Sequence, residues 1–172
     1  MTTVSYQASR LVHDSAAGFE ETRRRFDEQV PLLDPLLTLR LVLDQATWSD
    51  VKAHVDRTVG QSGFVALARL DQGALFRLSG DTVQATLYLV GNPVIAREVL
   101  AVEPAAGLYA PFRVAVYRDA TGAHVAYDQP SSVFASFGSD AIDAIARELD
   151  ERIRDSAETS CQAAAITEEF TC

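Results

Sequence analysis

The chain has 172 residues, 48% of them apolar, and a formal net charge of −9. That length supports one domain with a buried core, and the acidic balance argues against nucleic acid or an anionic membrane as a partner, since either demands a basic face. No apolar run approaches the roughly 20 residues of a membrane span, and Met1-Thr2-Thr3-Val4-Ser5-Tyr6 lacks the basic and apolar regions of an export signal, which predicts a cytoplasmic protein.

Thr3 to Val12 alternates and is rich in Val, Tyr and Leu, the pattern of a first strand. Asp14 or Ser15 then offers an N-cap, and Ala16, Phe19, Phe26 and Val30 form a helical stripe with Arg23-Arg24-Arg25 outside it, read as a solvated face. Pro31 and Pro35 make a continuous helix unfavourable at the start of the next segment. The leucine-rich run after them is read as a linker and a short strand around Leu37 to Leu43. So much leucine needs cover, either from the domain's own sheet or from a second subunit. Thr47 with Asp50 resembles a capping box that opens a helix through Val59, with Trp48, Val51 and Val55 inward and Gly60 as its stop.

Gly63 to Leu70 and Thr82 to Val90 read as strands, with Ala74 to Leu78 a short apolar piece continuing the first and Ser79-Gly80-Asp81 a turn. Pro93 starts a short helix to Leu100, and Val102 to Leu108 is a loop. Phe112 to Tyr117 and His124 to Tyr127 flank Asp119-Ala120-Thr121-Gly122 as a hairpin. Ser139 caps a helix to about Asp155, with Ile142, Ile145, Ala146, Leu149 and Ile153 on one face and Asp143, Arg147, Asp150, Glu151 and Arg154 on the other. Apolar periodicity then fades. The expected organisation is a globular domain over residues 1–155 and a flexible tail over 156–172. The element order predicts an α+β fold, an antiparallel sheet with its helices on one face.

The tail carries the chemistry. A cysteine in last place, Cys172, has a free α-carboxylate beside its thiol. Oxidation to a thioaldehyde lets that carboxylate leave as carbon dioxide, producing an enethiolate nucleophile. The hydroxyl residues Thr171, Thr167, Ser160 and Thr159 are each convertible by phosphorylation and elimination to an electrophilic dehydro residue. The second cysteine, Cys161, also lies in the tail and none lies in the body. A cysteine pair could instead be a disulfide, although an acidic chain without an export signal points to a reducing cytosol. A frayed polar tail without function is the plain alternative.

Ser160, Ala163 to Ala165, Thr167, Phe170 and Cys172 resemble the core peptides of the thioamitides, which begin with Ser, carry an alanine run, and place Thr or Ser five before a terminal Cys with a bulky residue two before it. The resemblance implies a core over about residues 160–172 and an aminovinyl-cysteine-type ring joining Thr167 to decarboxylated Cys172, with Ser160 dehydrated. Cys161, Gln162 and Glu168-Glu169 depart from that pattern. The second cysteine is similar instead to the kintamdin-type peptides, and implies thioethers at both Cys161 and Cys172. The implied partners are a kinase-like and lyase-like dehydration pair, a flavin-dependent cysteine decarboxylase, a cyclising activity and a protease. The flavin belongs to the partner, and the chain needs no cofactor of its own.

The body resembles domain-of-unknown-function family 302 through Asn92-Pro93, Glu103-Pro104, Gly107-Leu108, Ala110-Pro111-Phe112-Arg113 and Tyr127-Asp128-Gln129-Pro130. The likeness covers roughly Val4 to Ile153, with residues 31–59 as an insertion. It implies a TATA-binding-protein-like fold and dimer formation. Where the family often has Leu-Pro-Cys-Arg, this chain has Ala-Pro-Phe-Arg. His13, His54 and His124 lack metal-ligand spacing and read as structural or solvent-facing. No nucleophile elbow, dinucleotide turn or Walker loop is present, so no catalytic residue or metal site is assigned in the body.

The expectation is therefore a precursor protein whose folded leader is gripped by modifying enzymes. The candidate grip is Leu36, Leu39, Leu41 and Leu43 together with Arg147 and Arg154 on the last helix. The alternative is a small-molecule-binding or sensor domain with an inert tail.

Overall fold

The structure, a computed structural model, describes residues 1–163. Five strands form one sheet in the order β1-β5-β4-β3-β2, every neighbouring pair antiparallel. These are β1 (Arg10–Asp14), β2 (Val65–Asp71), β3 (Ala85–Gly91), β4 (Phe112–Arg118) and β5 (Ala123–Asp128). The helices are α1 (Phe19–Gln29), α2 (Leu37–Leu43), α3 (Trp48–Thr58), α4 (Pro93–Val102), α5 (Pro130–Phe134) and α6 (Asp140–Cys161). This is the expected α+β architecture.

Alternation in the strands builds the core. Tyr88, Val90, Val114, Val116, Val125 and Tyr127 are fully or almost fully buried on one sheet face, where α1 supplies Phe26 and α6 supplies Ile142, Ala146 and Ile153. Phe26 meets Tyr88 edge-on at 4.9 Å, a geometry that adds to simple area burial.

Several local expectations are corrected. β1 begins at Arg10 instead of Thr3, because its partner β5 ends at Asp128 and the pairing closes with Gln129 N–H donating to the Ser9 carbonyl. Beyond that point there is no ladder to join. α1 starts at Phe19, with Gly18 as its N-cap in place of Asp14 or Ser15. The Ser15 hydroxyl instead accepts from Ala17 N–H and shares a 2.7 Å hydrogen bond with Thr22.

The segment Leu37 to Leu43 is a helix, not a strand. Leucine is a strong helix former, and the Asp34 carboxylate accepts from Leu36 N–H at 2.9 Å, just ahead of the first turn. Leu37 and Leu41 then meet one small cluster with Leu33, Val59 and Val65, the spacing that a helix face presents. Leu32 forms a parallel bridge to Ala66 beside this cluster, at the β2 edge. Ala74 to Leu78 does not continue β2 either: Phe76–Ser79 is a 3₁₀ turn. The predicted loop after α4 likewise contains a 3₁₀ turn, Pro104–Leu108.

The capping box is present, Thr47 accepting from Asp50 N–H and the Asp50 carboxylate accepting from Thr47 N–H at 2.8 Å. Val55 is buried as expected, whereas Trp48 keeps 37% exposure. At Gly60 the chain passes so close to α1 that a Cβ would lie 2.0 Å from the Gln29 carbonyl oxygen, so glycine is required there by close approach as well as by the end of a helix. Ser139 occupies the N-cap of α6, but its hydroxyl makes no capping bond. Asp150 is not on the wet face of α6; it is 6% exposed.

The largest difference is the end of α6. It runs to Cys161 instead of about Asp155, and Ser156, Ala157, Ser160 and Cys161 are all buried. Among the described residues, no helix is long and apolar enough to cross a membrane.

Candidate functional site

Two features can carry function: a groove built by the family-like motifs, and the last turn of α6.

The groove begins with Asn92. Its side-chain oxygen accepts from Val94 N–H at 2.8 Å, capping α4, and its amide donates to the Gly63 carbonyl at 2.9 Å, tying α4 to the approach to β2. Capping therefore accounts for this residue. Pro93 takes the first helical position, where its missing N–H is harmless. Across from α4, the cis Ala110-Pro111 peptide leads into β4. Phe112 packs edge-on against Phe64 at 5.4 Å. The result is a groove of about 330 Å³ lined by Trp48, Leu67, Ile95, Leu100, Pro111 and Phe112 among others. Arg97 lies at its rim with the guanidinium 5.0 Å from the Trp48 ring centroid, within cation–π range.

Such a groove can hold a small apolar group. Among its described lining residues there is no His, Cys, Asp, Glu, Lys or Ser, and Tyr109 is the one phenol, so it is chiefly an apolar binding surface. Asn92-Pro93 and Ala110-Pro111-Phe112, which carry the family likeness in the sequence, form part of its walls. The contribution of Trp48, from the segment read as an insertion, was not visible in the sequence, because it depends on how α3 folds back toward α4.

A wider cleft of about 1000 Å³ is lined by Arg23, Arg69, Arg77 and Arg118 opposite Glu20, Asp71, Asp81 and Asp119. Several of its charges are paired: Arg77 with Asp71 at 2.6 Å and Arg23 with Glu20 at 2.9 Å. Arg69 reaches Asp27 at 2.9 Å.

The histidines fall where no metal site forms. Among the described residues no cluster of His, Cys, Asp and Glu could hold a metal ion. His13 stacks on Tyr127 at 5.7 Å, and burial lowers its pKa. His124 is a buried structural residue held by Asp14 and Asp119, each at 2.9 Å. Asp150, unnoticed as a structural acceptor in the sequence, takes Gln129 Nε2–H at 2.8 Å and Ser131 N–H at 2.9 Å, and so fastens α5 to α6. Its helical spacing alone gave no sign of this, since the donors come from a distant turn.

The last turn of α6 holds three candidate core residues. Thr159 is exposed. Ser160 is fully buried and donates to the Ser156 carbonyl at 2.7 Å. Cys161 is 7% exposed, its thiol 3.6 Å from the His13 carbonyl, and burial pushes its pKa up. The Cys161 carbonyl accepts from Ala16 N–H at 3.0 Å, and the Arg25 guanidinium donates to the Gln162 carbonyl. Thr167, Thr171 and Cys172 lie outside the described residues.

The candidate grip divides in two. Leu36, at the N-cap of α2, and Leu39 and Leu43 on it are more than half exposed, while Leu41 is half-buried against its small cluster. Arg147 and Arg154 are exposed on α6. α2 packs at the β2 edge through Val65, whereas α6 packs on α1, β5 and β1 toward the other edge, so these residues do not form one patch.

No curated protein matches the chain. Among solved structures, the fold is similar to that of an uncharacterized conserved DUF302 protein from Bacillus stearothermophilus, with a TM-score of 0.63 and 18% identity over 88% of this chain and 97% of that one. A family model also matches, starting inside the expected insertion and ending past the expected limit at Ile153. It covers residues 40–160, and the chain belongs to the family it describes, Domain of unknown function DUF302.

Proposed function

We propose that this protein is the precursor of a ribosomally made, modified peptide, in which the folded body is a recognition handle and the C-terminal segment is the substrate. One observation carries the reading. The described domain ends in a long helix whose last turn is anchored at the start of α1, and the segment beyond it holds Thr167 and Cys172 at ring-forming spacing. A preformed surface binds enzymes without first losing conformational entropy, while a substrate segment must thread into successive active sites.

The chemistry asked of that segment balances. A dehydration pair transfers a phosphoryl group from a nucleoside triphosphate to the Thr167 hydroxyl, then removes the α-hydrogen as a proton and expels phosphate, leaving a dehydro residue. A flavin-dependent decarboxylase removes two hydrogens from Cys172, the flavin being reduced, and, with Cys172 as the terminal residue of the substrate, its α-carboxylate leaves as carbon dioxide. The enethiolate sulfur then adds to the β-carbon of the dehydro residue, and a proton is taken up at its α-carbon. In this reading the chain is a substrate, not an enzyme, and the flavin stays with its partner. α2 and the outer face of α6 are the surfaces offered to the enzymes, and the exposed leucines of α2 also provide a contact for a second copy.

The test is mass spectrometry of the protein after incubation with a flavin-dependent cysteine decarboxylase encoded beside its gene. A loss of about 46 Da localised to Cys172 is the expected result, and an unchanged mass with an active enzyme removes the reading. The groove beside Trp48 favours a second reading, a binding domain for small apolar molecules. Quenching or enhancement of Trp48 fluorescence by such a molecule, unaltered when residues 163–172 are deleted, distinguishes it.

A further inference from the structure

We infer that the folded domain itself sets the start of the modifiable segment: Ser160 and Cys161 belong to the domain, and modification is confined to residues beyond Gln162. This rests on the precursor reading and narrows it. Four contacts support it. The Ser160 hydroxyl is fully buried and already donates to a helix carbonyl, so it presents no oxygen to a phosphoryl donor. The Cys161 thiol sits among core side chains, in the same cluster as Ala157 and Val125. Its carbonyl is bonded to Ala16 N–H, and the next carbonyl, that of Gln162, is held by Arg25.

An enzyme reaching either residue must first unwind this turn and withdraw Cys161 from the core. Thr159 is exposed, but its backbone is held in the same helical turn. A protease, which needs an extended stretch, meets the same obstacle up to Gln162. Cys172 is then the one sulfur left for ring closure, with Thr167 and Thr171 as the hydroxyl residues that supply its electrophile. The product carries a single thioether, not two.

Two measurements on the full chain test this. In the first, the native protein is labelled with iodoacetamide and digested. Cys161 should react at least about 100-fold more slowly in the native protein than in urea. Equal rates overturn the inference. In the second, the protein is exposed to its dehydration and decarboxylation enzymes and fragmented in the mass spectrometer. All mass changes should fall within residues 163–172, with Cys161 alkylated as a free thiol after denaturation.

A dehydrated Ser160 or a thioether at Cys161 overturns the inference and leaves the precursor reading intact. No mass change anywhere, with enzymes active on another substrate, overturns both. The variants Ser160→Ala and Cys161→Ser, checked for folding by thermal unfolding, should produce the same ring as the unaltered chain. A folded variant that loses the ring counts against the proposal.

Discussion

His124 stands 2.9 Å from the Asp119 carboxylate across the β4–β5 turn, and the other nitrogen of its ring lies equally close to Asp14. A carboxylate beside each ring nitrogen favours the form in which both carry hydrogen, the imidazolium. Burial opposes that charge, but the hydrogen bonds to Asp119 and Asp14 outweigh it and the pKa is raised. Asp119 is held well below the usual carboxylate range by the Thr121 hydroxyl, His124 and the Thr121 N–H.

The two groups titrate in opposite senses. The His124 contribution is complete below its unfolded pKa of about 6.5 and is lost as pH rises through the raised folded value. The Asp119 contribution is complete above its unfolded pKa of about 3.9 and is lost as pH falls through the lowered folded value. Stability from this cluster is therefore greatest between those limits. Thermal unfolding at pH 5.5 and pH 8 should show the wild-type midpoint falling by about 2 °C or more, and His124→Gln should remove most of that fall. An equal fall in the variant rules the cluster out as its source.

Asp150 offers a cleaner stability test, since it is buried and two part-buried donors depend on it. Asp150→Ala leaves Ser131 N–H and the Gln129 amide without their acceptor and should cost about 2 kcal/mol in urea unfolding. Asp150→Asn keeps one acceptor oxygen and should cost less than half as much. If the two variants match, the hydrogen bonds are not what fastens α5 to α6.

Much of this architecture was readable because the relevant signals are local. The Thr47-Asp50 box, the Asn92-Pro93 start of α4 and the turn before Ala123 each specify backbone geometry through near neighbours, and all three are where the pattern put them. The misreadings came from contacts made at long range. Leucine at every second position from Leu37 to Leu43 copies a strand, and only the cluster around Val65 reveals a helix. In the same way Ser156, Ala157, Ser160 and Cys161 are small or polar and look like a frayed tail, yet they are the side of α6 that fits against the start of α1. Small residues permit close approach between elements, and hydropathy does not register that. The groove was not legible: its motif residues stood out only as family markers, and the Trp48 wall depends on how α3 folds back.

Truncation separates the domain from the segment beyond it. A chain ended after Gln162 keeps every described contact of α6 and should unfold at the same urea concentration as the full chain. Ending after Glu158 removes the buried Ser160 and Cys161 side chains and the acceptor of Ala16 N–H. That loss should amount to about 2 kcal/mol. Identical midpoints for the two truncations would return the domain boundary to Asp155.

The leucines of α2 distinguish helix from strand and, independently, structure from recognition. In a strand, Leu37, Leu39, Leu41 and Leu43 share one face and respond alike to substitution. In the helix, Leu37 is 7% exposed while Leu39 and Leu43 are 55% and 71% exposed. Leu37→Ala should cost about 2 kcal/mol, whereas Leu39→Glu and Leu43→Glu should stay within about 0.5 kcal/mol of the parent. The same two glutamate variants then report on partners without a folding artefact. A reduced rate of modification in a fully folded Leu39→Glu, Leu43→Glu protein places the enzyme grip on α2, and an unchanged rate, with Arg147→Ala and Arg154→Ala slowing it instead, moves the grip to α6. A parent that elutes as a dimer and becomes monomeric on these substitutions shows that the exposed leucines are covered by a second copy.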